Sequence, residues 1–168
     1  HNREKIKELA SGQLKDEANA WFVGEPFKVF YDYKKEGIWQ LGEEAAAAAN
    51  GQEPGDIKVQ DVDGNGVITT DDRIIYSQRP DVTFGFNNTF NYKGFDLSVF
   101  LYARLGQWIA YDYNTTYRIN ALENGGNVDY WTPENPTNAF PRPNKSKSYT
   151  QVTYYSTLKY EDGSFFKI

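Results

Sequence analysis

Residues 82–106 constrain the fold of this chain more than any other stretch. Val82, Phe84, Phe86, Asn88, Phe90 and Tyr92 occupy the even positions, and Thr83, Gly85, Asn87, Thr89 and Asn91 the odd ones. A period of two puts one set on each face of an extended strand. Lys93-Gly94 follows, a two-residue connection suited to a tight hairpin. The phase then inverts. Phe95, Leu97, Val99, Leu101, Ala103 and Leu105 are apolar at odd positions, facing away from Asp96, Ser98, Arg104 and Gly106, with Phe100 and Tyr102 as exceptions. Pairing Tyr92 with Phe95 also pairs Phe90 with Leu97, Asn88 with Val99 and Phe86 with Leu101, and cross-strand partners share a face. One face of the hairpin is therefore continuous and apolar, and the other carries Thr, Asn, Asp, Ser, Arg and Gly. A strand that crosses a bilayer at a tilt needs about 9–11 residues, and this pattern supplies them. Soluble strands are shorter, about 5–6 residues, but alternation is equally natural in a soluble sandwich. The pattern alone leaves both open.

The rest of the chain favours an all-β fold. Aromatic residues make up 17%, with 13 Tyr, a density that suits strands and membrane-interface belts. A second strand is expected at about 25–33, where Phe27, Val29, Tyr31 and Tyr33 alternate, and a last one at 154–168. Residues 3–20 read as a helix or an ordered loop, and 43–49 as a short Ala-rich helix. The segments 34–81 and 107–153 read as long loops, the second full of turn formers: Asn124-Gly125-Gly126-Asn127, Trp131-Thr132-Pro133 and Pro141-Arg142-Pro143. A very short turn on one side with long loops on the other is the asymmetry of outer-membrane barrels. The longest apolar stretch is 45–49, far below the roughly 20 residues of a spanning helix. The net charge of −5 argues against a nucleic-acid partner. Cys is absent, which excludes disulfides and thiolate metal sites; Met is absent too, so the chain is expected to be processed or cut from something longer.

Residues 61–72 fit a twelve-residue EF-hand-like calcium loop. Asp61, Asp63 and Asn65 fall at positions 1, 3 and 5, Gly66 at the sharp turn, Val67 at the position that offers a backbone carbonyl, and Asp72 at the closing position. Calcium is a hard cation that takes six or more oxygens, and this spacing wraps oxygens around one centre. Asp stands where Glu is usual, as in dockerin-type loops. No long helix pair flanks the loop, which points to a single structural site. The alternative is an Asp/Asn/Gly turn without metal.

Several stretches in succession resemble the C-terminal part of SusC/RagA-family TonB-linked outer-membrane proteins. They are Gly37-Ile38-Trp39-Gln40, Pro54-Gly55-Asp56-Ile57-Lys58, Asp72-Arg73, Gly85-Phe86-Asn87-Asn88-Thr89-Phe90 and Tyr92-Lys93-Gly94-Phe95-Asp96-Leu97-Ser98, then Trp131-Thr132-Pro133-Glu134-Asn135-Pro136-Thr137-Asn138 and Tyr160-Glu161-Asp162-Gly163-Ser164-Phe165. The resemblance covers most of 20–168. It implies a fragment of a large antiparallel transmembrane β-barrel in the bacterial outer membrane, lipid around it, and import of glycans or peptides. The implied partners are a SusD-like surface lipoprotein and, through parts absent from this chain, the TonB complex.

No enzyme is expected. His1 is the only His and sits at the terminus, so neither a Ser-His-Asp arrangement nor a His-based metal site can be built. Glu123, Asp129 and Glu134 near Trp131 could be imagined as a glycosidase pair, but solvated loop charges account for them. Trp108, Tyr130 and Trp131 are weak candidates for ligand contact, as are Tyr111, Tyr113 and Tyr117; loop packing or an interface girdle explains them as well. The competing class is a secreted, calcium-stabilised, all-β carbohydrate-binding or adhesion module, which would have to cover the apolar face of 82–105 with another sheet.

Overall fold

The computed structural model describes residues 4–10, 12–111, 128–143 and 152–167. In chain order the elements are β1 (Lys15–Asp16), β2 (Trp21–Phe22), β3 (Val29–Tyr33), β4 (Lys35–Ile38), α1 (Glu44–Ala49), β5 (Ile57–Val59), a 3-10 turn (Thr70–Asp72) and β6 (Arg73–Ser77). They continue with β7 (Val82–Tyr92), β8 (Phe95–Leu105), β9 (Trp108–Ala110), a 3-10 turn (Tyr155–Lys159), β10 (Tyr160–Asp162) and β11 (Phe165–Lys167). Strands dominate, and no described helix is long and apolar enough to cross a membrane. Two compact units form: His1–Tyr31, Ile75–Ile109 and Glu161–Ile168 in the first, Asp32–Ile74 and Ala110–Tyr160 in the second.

The first unit is built on an antiparallel sheet in the order β11-β8-β7. Its hairpin has the register that the phase inversion demands, from Tyr92↔Phe95 to Val82↔Leu105. Lys93 (φ 48) and Gly94 (φ 83) both take the left-handed conformation, the backbone of a type I′ turn, whose twist matches that of the strands it joins. Most of the alternating apolar residues are exposed, Phe84 at 49% and Phe90 at 56%, and only Ala103 among them is buried. On the opposite face Thr89 and Ser98 hydrogen-bond at 3.2 Å, and Asn91 donates to Asp96.

Phe165 pairs with Arg104, yet Gly163 N–H donates to Gln107 O at 2.9 Å. Two residues back on one strand thus correspond to three residues forward on the other, a β-bulge. Gly106 (φ 79) occupies it, with the Asp81 carboxylate where a Cβ would project. Gln107 is buried and closes the bulge by donating Nε2 to Gly163 O at 2.8 Å.

Residues 4–10 and 12–20 hold no helix; the chain forms the small hairpin β1–β2. Asp16 closes its turn by accepting from Asn19 N–H at 3.1 Å and from Asn19 Nδ2 at 2.9 Å. Helical spacing of Ile6, Leu9 and Leu14 was too sparse to bury a helix face; Leu14 stays exposed.

The second unit corrects the expectation of a long open loop at 34–81. Ile38, Ile57 and Val59 of that segment form a core with Trp131, Tyr155 and Leu158 from later in the chain. β4 and β5 pair antiparallel with an irregularity between Lys35 and Gly37. Between them, α1 grows from the Ala run and ends at Asn50. Gly51 (φ 67) donates its N–H to Ala48 O at 3.0 Å and Gln52 to Ala47 O at 2.9 Å, the paired bonds of a Schellman cap.

The motifs at 37–40, 54–58 and 131–138 meet here. The Trp131 indole lies against Gly55, where a Cβ would sit 2.6 Å from Cε3, and Trp131 Nε1 donates to Gln40 Oε1 at 2.8 Å. Asn138 Oδ1 accepts from Ile38 N–H at 2.9 Å across Gly37. Trp39 Nε1 donates to Gln52 Oε1 at 2.9 Å, and Gln52 Nε2 to Ile57 O at 2.8 Å, so this buried glutamine leaves no indole or carbonyl unpaired. Arg142 pairs with Asp56 at 3.2 Å and with Glu53. The stretch 154–168 is also corrected: it opens as a 3-10 turn that buries Tyr155, Thr157 and Leu158, and becomes strand only from Tyr160. Tyr154 at φ 60 breaks the extended path before that turn.

Trp131→Ala is expected to destabilise the second unit by about 3–5 kcal/mol, the usual range for removing a large buried aromatic, and to speed amide hydrogen exchange across 35–59. Trp131→Phe keeps ring area but strands the Gln40 acceptor, and is expected to cost about 1–3 kcal/mol.

Candidate metal centre

The loop at 61–72 folds by side chains capturing its own backbone. Asp61 accepts from Gly64 N–H and Gly66 N–H through its two oxygens, each at 2.7 Å. Asp63 accepts from Asn65 N–H at 3.0 Å and Asn65 Nδ2 at 2.7 Å, and Asn65 Oδ1 accepts from Val67 N–H at 2.7 Å. Gly64 (φ 72) and Gly66 (φ 83) take the left-handed conformation that lets the chain reverse so tightly. Asp72 is fully buried. Its oxygens accept from Val62 N–H at 2.8 Å and Thr69 N–H at 2.7 Å, which ties the first turn of the loop to its last.

These bonds bring Asp61, Asp63 and Asp72 together: one oxygen from each lies within 4.8 Å of the others. Asn65 joins them through Asp63, and Val67 enters through its N–H on Asn65. Three carboxylates this close repel one another, and a hard divalent cation relieves that repulsion with the oxygen ligands it prefers. The donor set therefore fits such an ion, with Asp61, Asp63 and Asp72 as the charged ligands. The hydrogen bond from Thr69 N–H, above all, holds the Asp72 carboxyl below the ordinary carboxylate value of 3.8, so it stays ionised at neutral pH.

Two residues outside the ligand spacing shape the loop. Thr69 forms a capping box with Asp72 at the 3-10 turn; a Thr-x-x-acid pattern signals this in the sequence. Asn50 accepts from Ile68 N–H at 2.9 Å and so fastens the loop to the end of α1. Nothing local in the sequence announces that bond, because it joins residues 18 positions apart.

The other candidates separate. Trp131, 5% exposed, is a core residue whose ring faces are taken by packing. Trp108 is half-buried, edge-on to Tyr76 at 4.8 Å. Tyr130 is exposed beside a depression lined by Val128, Asp129, Thr132 and Asn135. Asp129 accepts from Asn135 Nδ2 at 2.8 Å and from Thr137 Oγ1, which makes it a turn-former. Tyr111 is exposed, whereas Tyr113, Tyr117, Glu123 and the turn at 124–127 lie outside the described residues.

Over 129 residues, 71% of the chain, 37% of positions are identical to TonB-dependent receptor P26 of Formosa agariphila. Over 130 residues, again 71% of the chain, 37% are identical to TonB-dependent receptor P3 of the same organism. The matched stretch makes up 13% and 12% of those proteins, so the chain spans a small part of the relatives it matches. No family model matches the chain.

Asp72→Ala is expected to lower the urea midpoint of the second unit at pH 7, because two backbone N–H groups lose their hydrogen bonds to the carboxylate, about 1 kcal/mol each. The sign with pH is fixed by the depressed pKa. A carboxyl whose folded pKa lies below its unfolded value stabilises the fold at neutral pH and loses that contribution as pH falls below 3.8. The gap between wild type and Asp72→Asn should therefore narrow as urea titrations are moved from pH 7 towards pH 3.

Proposed function

We propose that this chain is a segment of the barrel wall of a TonB-dependent outer-membrane receptor of the SusC/RagA type, with the 61–72 loop holding a calcium ion on the loop side. The observation that carries this is the hairpin β7–β8: two strands of 11 residues in uninterrupted register, with an apolar face that is mostly exposed. A soluble sandwich needs a second sheet over that face, whereas a barrel needs lipid there. The homology to TonB-dependent receptors supports the same conclusion. The Lys93–Gly94 turn then lies on the periplasmic side, and the opposite strand ends, at Val82 and Leu105, on the outer side.

In this reading the polar face, with Thr83, Asn87, Thr89, Asn91, Asp96, Ser98 and Arg104, borders the lumen. The segment does no chemistry on the cargo. Glycans or peptides pass through the whole receptor, energised through TonB, and a SusD-like lipoprotein covers the outer mouth. Calcium would fasten α1 and the β5–β6 connection by neutralising Asp61, Asp63 and Asp72. A loop whose closing Asp already accepts two backbone bonds suits the weak binding of extracellular modules, about 10⁻⁴–10⁻³ M.

The absence of Cys in this segment makes the face assignment directly testable. Single Cys replacements at Phe84, Phe86, Leu97 and Val99 should resist a membrane-impermeant maleimide in intact outer membranes, while those at Asn87, Thr89 and Ser98 should react through the lumen. Equal labelling of both sets, or recovery of the protein as a soluble species of 19.3 kDa, would overturn the barrel reading in favour of a secreted calcium-stabilised module. For the loop, millimolar calcium should slow proteolysis between 61 and 72 and chelation should restore it, with Asp61→Ala abolishing the difference.

A further inference from the structure

We propose that Asn65-Gly66 is a self-modification site, a deamidation site held shut by the fold of its loop. In the reaction the Gly66 backbone nitrogen attacks Cγ of Asn65. A C–N bond closes a five-membered succinimide, the Cγ–Nδ2 bond breaks, and Nδ2 leaves as ammonia, with the Gly66 amide proton passing to solvent base and a solvent proton to the leaving group. Water then opens the ring to Asp or to isoaspartate. Glycine after Asn favours the attack because no side chain shields the nitrogen, and both residues are exposed.

The hydrogen bonds of the loop act on this reaction in opposite senses. Val67 N–H, donating to Asn65 Oδ1 at 2.7 Å, polarises the carbonyl that is attacked. Gly66 N–H donates to the Asp61 carboxylate at 2.7 Å, and an anion at that distance opposes loss of the amide proton that the attack requires. Asn65 Nδ2 donates to Asp63 at 2.7 Å, which fixes the side chain away from its own backbone. The electrophile is thus prepared, while Asp61 holds back the nucleophile. Another Asn–Gly pair among the described residues, Asn50-Gly51, lacks this block: Gly51 N–H donates to the neutral Ala48 carbonyl within the α1 cap. Conversion at 65 cannot be undone by refolding. Isoaspartate adds a main-chain methylene between the fifth and sixth positions and carries Gly66 N–H away from Asp61. The proposal needs no bound ion and stands apart from the cation reading.

The test is peptide mapping by mass spectrometry of the protein from its source cells, incubated at mildly alkaline pH with chelator, native or in concentrated urea, with isoaspartyl and aspartyl peptides resolved by retention. Asn65 should convert readily in urea and at least about tenfold more slowly in the native protein, because reaction has to wait for local opening of the loop. Asp61→Asn should raise native conversion at Asn65 several-fold and leave its rate in urea unchanged. Native conversion at the urea rate, no conversion in urea, or a native rate indifferent to Asp61→Asn would overturn the proposal. The comparison in the unchanged protein needs no variant, so a misfolded Asp61→Asn protein leaves it decisive.

Discussion

A two-residue reversal at Lys93 and Gly94 sets the register on which the first unit depends. With both residues at positive φ, the strands emerge with matched twist, and Tyr92 has only one partner to meet. Every later pair follows by counting, and because side chains alternate with a period of two, the counting also sorts the faces. A slip of one residue would send Phe84, Phe86 and Phe90 to the side of Ser98 and Arg104. Eleven residues of alternation make that slip costly over the whole strand, which explains how a long sheet can hold its register while presenting bare apolar surface.

The second unit answers a different problem. Its strands are short, three and four residues, and cannot bury a core by pairing alone. The core is completed from far along the chain by Trp131, whose indole needs a flat place and a hydrogen-bond acceptor. Gly55 gives the first and Gln40 the second. Asn138 and Arg142 then stitch the same segment to Ile38 and Asp56. The short motifs at 37–40, 54–58 and 131–138, far apart along the sequence, are contact points of this one assembly.

This contrast explains what could be read from the sequence. The hairpin was legible because its information is local: alternation, a turn dipeptide and a phase inversion lie within 25 residues of one another. The carboxylate cluster was legible for the same reason, since spacing within the loop brings Asp61, Asp63 and Asp72 together. What escaped was encoded at long range. The compactness of 34–81 depends on Trp131 and Leu158, and without them that segment reads as Gly- and Asp-rich loop. Trp131 read as a possible ligand platform because an aromatic residue in a turn-rich stretch looks exposed until its partner is known. The stretch 154–159 looked like a strand because Tyr and Thr favour extended structure, but the left-handed Tyr154 and the burial of Leu158 decided otherwise.

The bulge at Gly106 has a consequence for where the strand ends. Up to Leu105 the odd-numbered residues of β8 belong to the apolar side. One extra residue reverses that parity, so beyond Gln107 the even-numbered residues continue the same side, beginning with Trp108. An indole, apolar in body and polar at its nitrogen, thereby succeeds a run of leucines on one and the same edge of the ribbon. A strand that must pass from oil into water can change its chemistry in a single step this way, with its ladder to the neighbouring strand interrupted only at the bulge.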